Sequence, residues 1–285
     1  MMRNNSNFKI GISNFKRTIS IITSLSLRNE RAWIIIFASS LIITIICFIG
    51  YTNYSNTFEL LPPQMTSLFL IPSFVTGAYF SSMLFSWKET SLIKRLKFIG
   101  TKPYDIILSI IICSTCFTFA AELLNILIVY LISKVQLKIS FNYLGNLFWW
   151  NWVWFIFVSI LIQITVFSSC VIIMNLFNSK NIQAVVPILI IIFYLIMSDV
   201  IIPSFISTRS WFITFLGYIS ITKYMVWILL ITASFTFVDF RGGIKQIISD
   251  DHSYTFITNI YILVVISLIL VSILTYLSIK LFKWK

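Results

Sequence analysis

Charged side chains are scarce in this sequence. Asp, Glu, Lys and Arg together make up 11% of its 285 residues, whereas 59% of the residues are hydrophobic, and the mean hydropathy is +0.95. A water-soluble domain of this length needs many more polar groups to cover its surface. The composition therefore excludes a soluble globular protein and indicates that lipid surrounds much of the chain.

Acidic residues are the scarcest charged type, with 9 Asp and Glu against 21 Lys and Arg, for a net charge of +12. The basic residues lie between long apolar runs, which is the pattern that membrane topology and anionic lipid headgroups produce. Base readout would require an exposed basic face, and the sequence offers none. We therefore expect membrane lipid to be a partner of this chain and nucleic acid not to be one.

Histidine and cysteine are also rare, with 1 His, His252, and 4 Cys. All the cysteines lie inside apolar runs, at Cys47, Cys113, Cys116 and Cys170. Cys113 and Cys116 form a C-x-x-C motif, a spacing found in metal and redox sites, but no second cysteine pair or histidine cluster accompanies them. A Ser–His–Asp set and paired carboxylates are missing too. The sequence therefore predicts no metal centre, no bound cofactor and no catalytic site.

Long apolar runs dominate what is present. A membrane helix needs about 20 apolar residues, and six runs meet this length. They cover residues 32–51, 66–85, 105–132, 147–176, 183–203 and 256–281. A seventh stretch, 211–237, is less apolar because it contains Gly217, Lys223 and several hydroxyl side chains.

The distribution of Lys and Arg decides between six and seven crossings. Basic residues concentrate in the N-terminal segment, in the loop after the second run and at the C-terminus, and such segments stay on the cytoplasmic side. Six crossings satisfy all three, whereas a seventh would put the C-terminal lysines outside. The stretch 211–237 is therefore predicted to enter from the outer side and return, or to lie in the interface.

The predicted fold is an all-α integral membrane protein of the cell membrane, with both termini cytoplasmic. One domain covers 1–285, with a cytoplasmic amphipathic segment, 1–31, before a bundle of about six spans, 32–285. Apolar residues recur on one helical face of the amphipathic segment, at Phe8, Ile12, Phe15, Ile19 and Ile22. Such a basic amphipathic helix lies in the inner interface. It is either a simple anchor or an elbow helix that contacts a cytoplasmic partner.

The loop 86–103 carries signals for a short cytoplasmic helix. Ser86 with Glu89 three residues later matches a capping box at a helix start. Gly100 can adopt the left-handed conformation that ends a helix, and Pro103 blocks continuation into the third run. A simple turn needs only a few residues, so a delimited helix here indicates a function.

An apolar ridge on that helix is predicted to face the cytosol. Leu92, Leu96 and Ile99 share one face, and basic side chains surround it, at Lys88, Lys94, Arg95 and Lys97. An exposed apolar ridge fits a groove on a partner protein. The alternative is a helix that rests on the lipid interface.

Residues 89–96 (ETSLIKRL), followed by 100–103 (GTKP), resemble the acidic–small–Leu–x–basic–Leu stretch of ABC-2 type transporter permeases. In that family the stretch forms the coupling helix, which docks on the nucleotide-binding subunit. The resemblance implies a contact with an ABC ATPase subunit through Glu89, Leu92, Lys94, Arg95, Leu96 and Ile99. The layout is also similar, with an elbow helix, six spans and a re-entrant region between the last two.

Two further stretches fit that layout. Residues 197–203 (MSDVIIP) stand where the family often has a small–acidic turn, and 218–224 (YISITKY) is similar to its re-entrant aromatic stretch but lacks the usual proline. The resemblance implies export of lipids, drugs, peptides or lipid-linked glycans by this chain and a second permease copy or homologue. No G-x-x-x-x-G-K-[ST] motif occurs, so ATP-Mg and its hydrolysis are expected in the partner chain.

Polar residues inside the apolar runs form a second candidate site. Glu122 lies in the middle of the third run, with Asn125 three residues later. A carboxylate in hydrocarbon is costly unless it is paired, neutral or wet. The pair is therefore either a functional site or a protonated helix contact. Two alternative functions follow: an ion-coupled secondary transporter that uses Glu122, and a membrane sensor or scaffold without transport.

Other polar and aromatic residues have simpler interpretations. Gln163 is predicted to hydrogen-bond between helices, and Asp199, near the outer end of the fifth run, is predicted to touch water. A cluster of tryptophans at the start of the fourth run is typical of an aromatic belt at the outer interface.

Overall fold

The computed structural model describes residues 2–54, 62–98, 100–135, 147, 149–177, 180–202, 211–235, 257 and 259–282. Helices and short turns make up this part of the chain, with no β-strand in it, which confirms the all-helical prediction. The helices are α1 (Met2–Leu27), α2 (Glu30–Gly50), α3 (Pro62–Leu68 continued by Ile71–Glu89), α4 (Ser91–Phe98), α5 (Pro103–Val135), α6 (Trp149–Leu176), α7 (Lys180–Met197), α8 (Trp211–Ile219), α9 (Ile221–Phe235) and α10 (Ile260–Lys280).

Five helices, α2, α3, α5, α6 and α10, are long and apolar enough to cross a membrane. The chain is therefore a multi-pass membrane protein. Its first helix, α1, packs along α5. Ile22 on that helix is buried, as are Thr18 and Ser26, while Phe15 and Ile19 of the predicted apolar face are half-buried and Lys16 and Arg17 are exposed.

The run predicted as the fifth span, 183–203, ends early. Its apolar helix, Asn181–Met197, covers about 26 Å at 1.5 Å per residue, less than the hydrocarbon core of about 30 Å. Asp199 has a φ of 61°, a left-handed conformation that cannot continue a right-handed helix. The predicted end at residue 203 is therefore wrong, and α7 is shorter than the five full-length helices.

The stretch 211–237 is not predicted to cross the membrane as a seventh span, and its described part, 211–235, is indeed not one straight helix. Its helices α8 and α9 meet at 97° across Ser220. Helix α9 packs on α6, on α10 and on the first turns of α3, and its residues Met225 to Leu230 are almost completely buried. A bent backbone at membrane depth requires such burial against protein.

Three helix ends meet at one side of the bundle. Lys88, at the end of α3, donates a hydrogen bond to Asn175 Oδ1 near the end of α6 at 2.9 Å. The Lys88 Nζ also lies 4.0 Å from the ring centroid of Phe282, just after α10. Because α6 and α10 both end here, the chain between them must make one net crossing, which α7 and the bent pair together supply.

This arrangement leads to a topology test. We expect both termini and Lys94 to be cytoplasmic and Asp250 to be external, because the basic segments then all lie inside. Single cysteines at these positions, on a background without the four native cysteines, would be labelled with an impermeant maleimide in intact cells. Labelling is expected at position 250 only. External labelling of a cysteine at position 285 would contradict the arrangement.

The centre of the bundle is the contact between α3 and α6. In its most apolar stretch, α3 is 89% buried, against 28% for α2 and 22% for α10. Gly77 allows the close approach, because a Cβ there would lie 2.7 Å from the backbone oxygen of Gln163. Small residues at such crossings let membrane helices pack backbone to backbone.

Substitution of this glycine is expected to separate the two helices. Gly77→Ala should destabilise the protein by about 1–3 kcal/mol, the usual cost of overpacking, since backbone and not a flexible side chain stands in the way. Gly50→Ala is the matched control, because no heavy atom lies within 4 Å of its Cβ position. Thermal unfolding of both variants in detergent measures the difference. Equal stability of the two variants would contradict the close contact.

Candidate functional site

The helix α4 joins α3 to α5, but it begins later than predicted. Helix α3 continues through Glu89, and Ser86 lies inside it, where its hydroxyl donates to the Met83 carbonyl at 2.8 Å. Thr90 is extended and its hydroxyl accepts from the Leu92 N–H at 3.5 Å. The capping box at Ser86 and Glu89 is therefore wrong. A serine hydroxyl can bond to a carbonyl of its own helix instead of capping a new one. The chain from Ser86 to Glu89 is helical throughout, so no new helix begins there.

The end of α4 agrees with the prediction. Gly100 has a φ of 84°. Its N–H bonds to the Lys97 carbonyl at 3.0 Å, and the Thr101 N–H bonds to the Leu96 carbonyl at 3.2 Å, which together form a Schellman motif. Helix α5 then starts at Pro103. The chain thus turns from α4 into a span within five residues.

The apolar ridge of α4 faces the bundle and not the cytosol, so the predicted orientation is wrong. Leu96 is 4% exposed and Ile93 is 2% exposed, and Leu92 packs partly against the same core. The neighbouring spans are the nearest apolar surface, and they cover the ridge. Arg95, Lys97 and Phe98 remain on the open face. The side chains of Glu89, Lys94 and Ile99 lie outside the described residues.

Phe98 is the most exposed large apolar side chain of α4. It is 91% exposed and lies beside the exposed cations Arg95 and Lys97. This open face is hereafter the basic face of α4. An aromatic side chain surrounded by positive charge is a frequent anchor in protein interfaces.

The Glu122 side chain is buried where α3, α5 and α6 meet, and it is 2% exposed. Its Oε1 accepts hydrogen bonds from the hydroxyls of Ser73 at 2.6 Å and Ser159 at 2.7 Å. The two hydroxyl oxygens are 3.2 Å apart. No ion pair reaches Glu122 in the described part of the chain, where Glu122 Oε2 also has no hydrogen-bond partner.

Asn125 binds a different helix from Glu122. Its Nδ2 donates to Thr44 Oγ1 on α2 at 3.1 Å, while its Oδ1 has no hydrogen-bond partner among the described residues. The predicted role of Gln163 as a helix contact is confirmed, because it accepts from Thr115 at 3.1 Å and donates to Ser114. A polar seam therefore follows α5, and hydroxyl and amide groups of three other spans close it.

Asp199 and Lys223 form a buried ion pair that the sequence interpretation missed. Their side chains are 1% and 4% exposed, and Lys223 Nζ lies 3.1 Å from Asp199 Oδ1. Trp227 Nε1 donates to Asp199 Oδ2 at 2.9 Å. The prediction that Asp199 touches water is wrong, because α8 and α9 fold over the end of α7. The sequence did contain a signal for this pair: Asp199 is the only charged residue in the run 183–203, and Lys223 is the only charged residue in the stretch 211–237.

Aromatic rings and one glycine complete the enclosure of Lys223. Its Nζ lies 5.5 Å from the ring centroid of Tyr218 and 5.4 Å from that of Trp227, within the range of cation–π attraction. Gly217 leaves the space for the ammonium, since a Cβ there would be 2.7 Å from Nζ. The pair thus fixes the bent helices to the end of α7.

No protein-family model, curated protein or solved structure matches this chain. Within the described residues, no group of three or more His, Cys, Asp or Glu side chains is placed to hold a metal ion. Three features are therefore available for a functional interpretation: the basic face of α4, the seam around Glu122, and the Asp199–Lys223 pair.

Proposed function

We propose that this chain is the permease subunit of an ATP-binding-cassette exporter of the ABC-2 type. The observation that carries the proposal is the placement of α4. Ile93 and Leu96 fix this short helix to the bundle, while its basic face stays open between two membrane helices. Such a helix can receive a force from a separate subunit and pass it to the spans on both sides.

The path of that force is short. One residue, Thr90, separates α3 from α4, and a Schellman turn separates α4 from α5. A displacement of α4 therefore tilts both spans. The sequence has no phosphate-binding loop, so the proposed partner is an ABC ATPase subunit that binds and hydrolyses ATP-Mg. Closure of that ATPase would switch the pathway from inward-facing to outward-facing.

The proposed cargo is amphipathic or hydrophobic: a lipid, drug, peptide or lipid-linked glycan. Away from the helix ends, the described spans carry few charged groups that could bind a polar cargo, and Glu122 and Asp199 already contact their own chain. The low burial of α2 and α10 leaves surface for lipid and for a second permease copy or homologue.

An ion-coupled secondary transporter is the alternative that one observation favours. Glu122 is a buried carboxyl group in the bundle, and one of its oxygens has no hydrogen-bond partner among the described residues; proton carriers are carboxyl groups in such positions. A sensor or scaffold would need neither Glu122 nor the basic face of α4. These alternatives predict a chain without an ATPase partner.

Purification of the tagged chain from its native membrane in mild detergent tests the proposal. We expect an ABC ATPase subunit to be retained in about equal amount with the chain, and the complex to hydrolyse ATP. An unrelated multi-pass protein, tagged and purified in parallel, controls for contamination. Retention of no such ATPase would reject the proposal and favour the ion-coupled alternative.

A further inference from the structure

Two acceptor oxygens without a donor lie on the same face of α5. Glu122 Oε2 and Asn125 Oδ1 are both buried, and neither has a hydrogen-bond partner among the residues that the structure describes. Residues three apart on a helix are neighbours, with their Cβ atoms about 5–6 Å apart. Each acceptor that is buried without a donor is unfavourable, and two such atoms on neighbouring side chains can be satisfied by a single shared proton.

We propose that Glu122 binds one resident proton on Oε2 and donates it in a hydrogen bond to Asn125 Oδ1. The proton adds to Oε2 and no other bond is lost. It converts one unsatisfied acceptor into a donor and satisfies the other. The carboxyl group becomes neutral, which removes the cost of a charge in the bilayer.

The neutral acid completes a hydrogen-bonded chain with one consistent direction. Asn125 Nδ2 donates to Thr44 Oγ1, and Thr44 donates to the Ser40 carbonyl on α2 at 2.8 Å. At the other end, Glu122 Oε1 accepts from Ser73 of α3 and Ser159 of α6. The proton thus joins the Glu122 bonds to α3 and α6 with the Asn125 bond to α2 in one network.

Among the described residues, no cationic side chain forms an ion pair with Glu122 that could neutralise its charge in place of a proton. The charged residues of the packed spans lie at the helix ends: Glu30 and Arg31 on α2, Lys88 and Glu89 on α3, Asp105 and Lys134 at the two ends of α5 and Lys280 on α10. The other titratable residues on these helices are Cys47, Tyr79, Tyr104, Cys113, Cys116, Tyr130, Cys170, Tyr261 and Tyr276. None of them is joined to Glu122 by a hydrogen bond or ion pair in the described part of the chain.

Labelling with a hydrophobic carbodiimide tests the proposal inside one molecule. Dicyclohexylcarbodiimide reacts with a protonated carboxylic acid in the membrane, and the stable adduct is mapped by mass spectrometry. We expect Glu122 to be labelled at neutral pH. Asp199 is the internal control: it is as deeply buried, but it is paired with Lys223, so it is expected to stay ionised and unlabelled.

Infrared spectroscopy decides the case even if the reagent cannot reach the site. The carbonyl stretch of a protonated carboxylic acid should be present at neutral pH, shift in D₂O and disappear in Glu122→Gln. That variant should fold and assemble like the wild type, because its amide N–H can replace the acid O–H toward Asn125, whereas Glu122→Ala should lose thermal stability. A band that appears only in acid, or a carboxylate band that shifts when sodium is added, would overturn the proposal.

Discussion

Lys223→Met is expected to destabilise the protein by about 3–5 kcal/mol, the cost of breaking a buried ion pair by removal of one partner. The variant leaves the Asp199 carboxylate buried without its cation, although the Trp227 indole can still donate a hydrogen bond to it. Thermal unfolding in detergent, monitored as the fraction of protein that stays monodisperse, measures the loss of stability.

A paired variant separates the lost charge from the lost volume. Asp199→Asn combined with Lys223→Met removes both charges and keeps an acceptor for Trp227, so it should recover most of the stability. Lys134→Met is the matched control, because Lys134 is exposed in the last turn of α5 and surface charges contribute little. Wild-type stability of the Lys223→Met single variant would contradict the buried pair.

Phe98→Asp is expected to release the proposed ATPase subunit without unfolding the chain. Phe98 is 91% exposed, so the bundle does not depend on it, while an aromatic anchor at an interface contributes about 2 kcal/mol or more. The affinity for the proposed ATPase should therefore fall about 30-fold. Arg95→Glu should act in the same direction, because it reverses a charge on the same face.

Two controls make this prediction specific. Lys280→Glu reverses an exposed charge at the end of α10 and should leave the proposed ATPase bound. Leu96→Asp should instead reduce the yield of folded protein, because Leu96 is buried in the bundle. Full retention of the ATPase and normal transport by both Phe98→Asp and Arg95→Glu would reject α4 as the docking element.

Hydropathy predicted the membrane helices because long apolar runs need only composition to be recognised. It did not predict where α7 ends, since Ile201 and Ile202 are as apolar as the helix before them. The turn depends on the left-handed backbone of Asp199, which the contact with Lys223 stabilises. That contact joins residues 24 positions apart on different helices, so the periodicity of a single helix cannot reveal it.

Periodicity likewise identified the face of α4 but not its neighbour. Leu92 and Leu96 do share a face, yet the surface that covers them belongs to the same chain. At the membrane centre, Glu122 was identifiable because an intramembrane carboxyl is rare. Its partners Ser73 and Ser159 were not, because small hydroxyl residues are common in membrane helices and only the packing brings these two together.

Photo-crosslinking from position 98 tests the central proposal most directly. A benzophenone amino acid in place of Phe98, irradiated in native membranes, should give an adduct that contains an ABC ATPase subunit. The same amino acid in place of Phe212 on α8, an exposed aromatic residue in the stretch predicted to lie at the outer side, should give none. Adducts with lipid alone at position 98, or the same ATPase adduct from position 212, would contradict the proposed function.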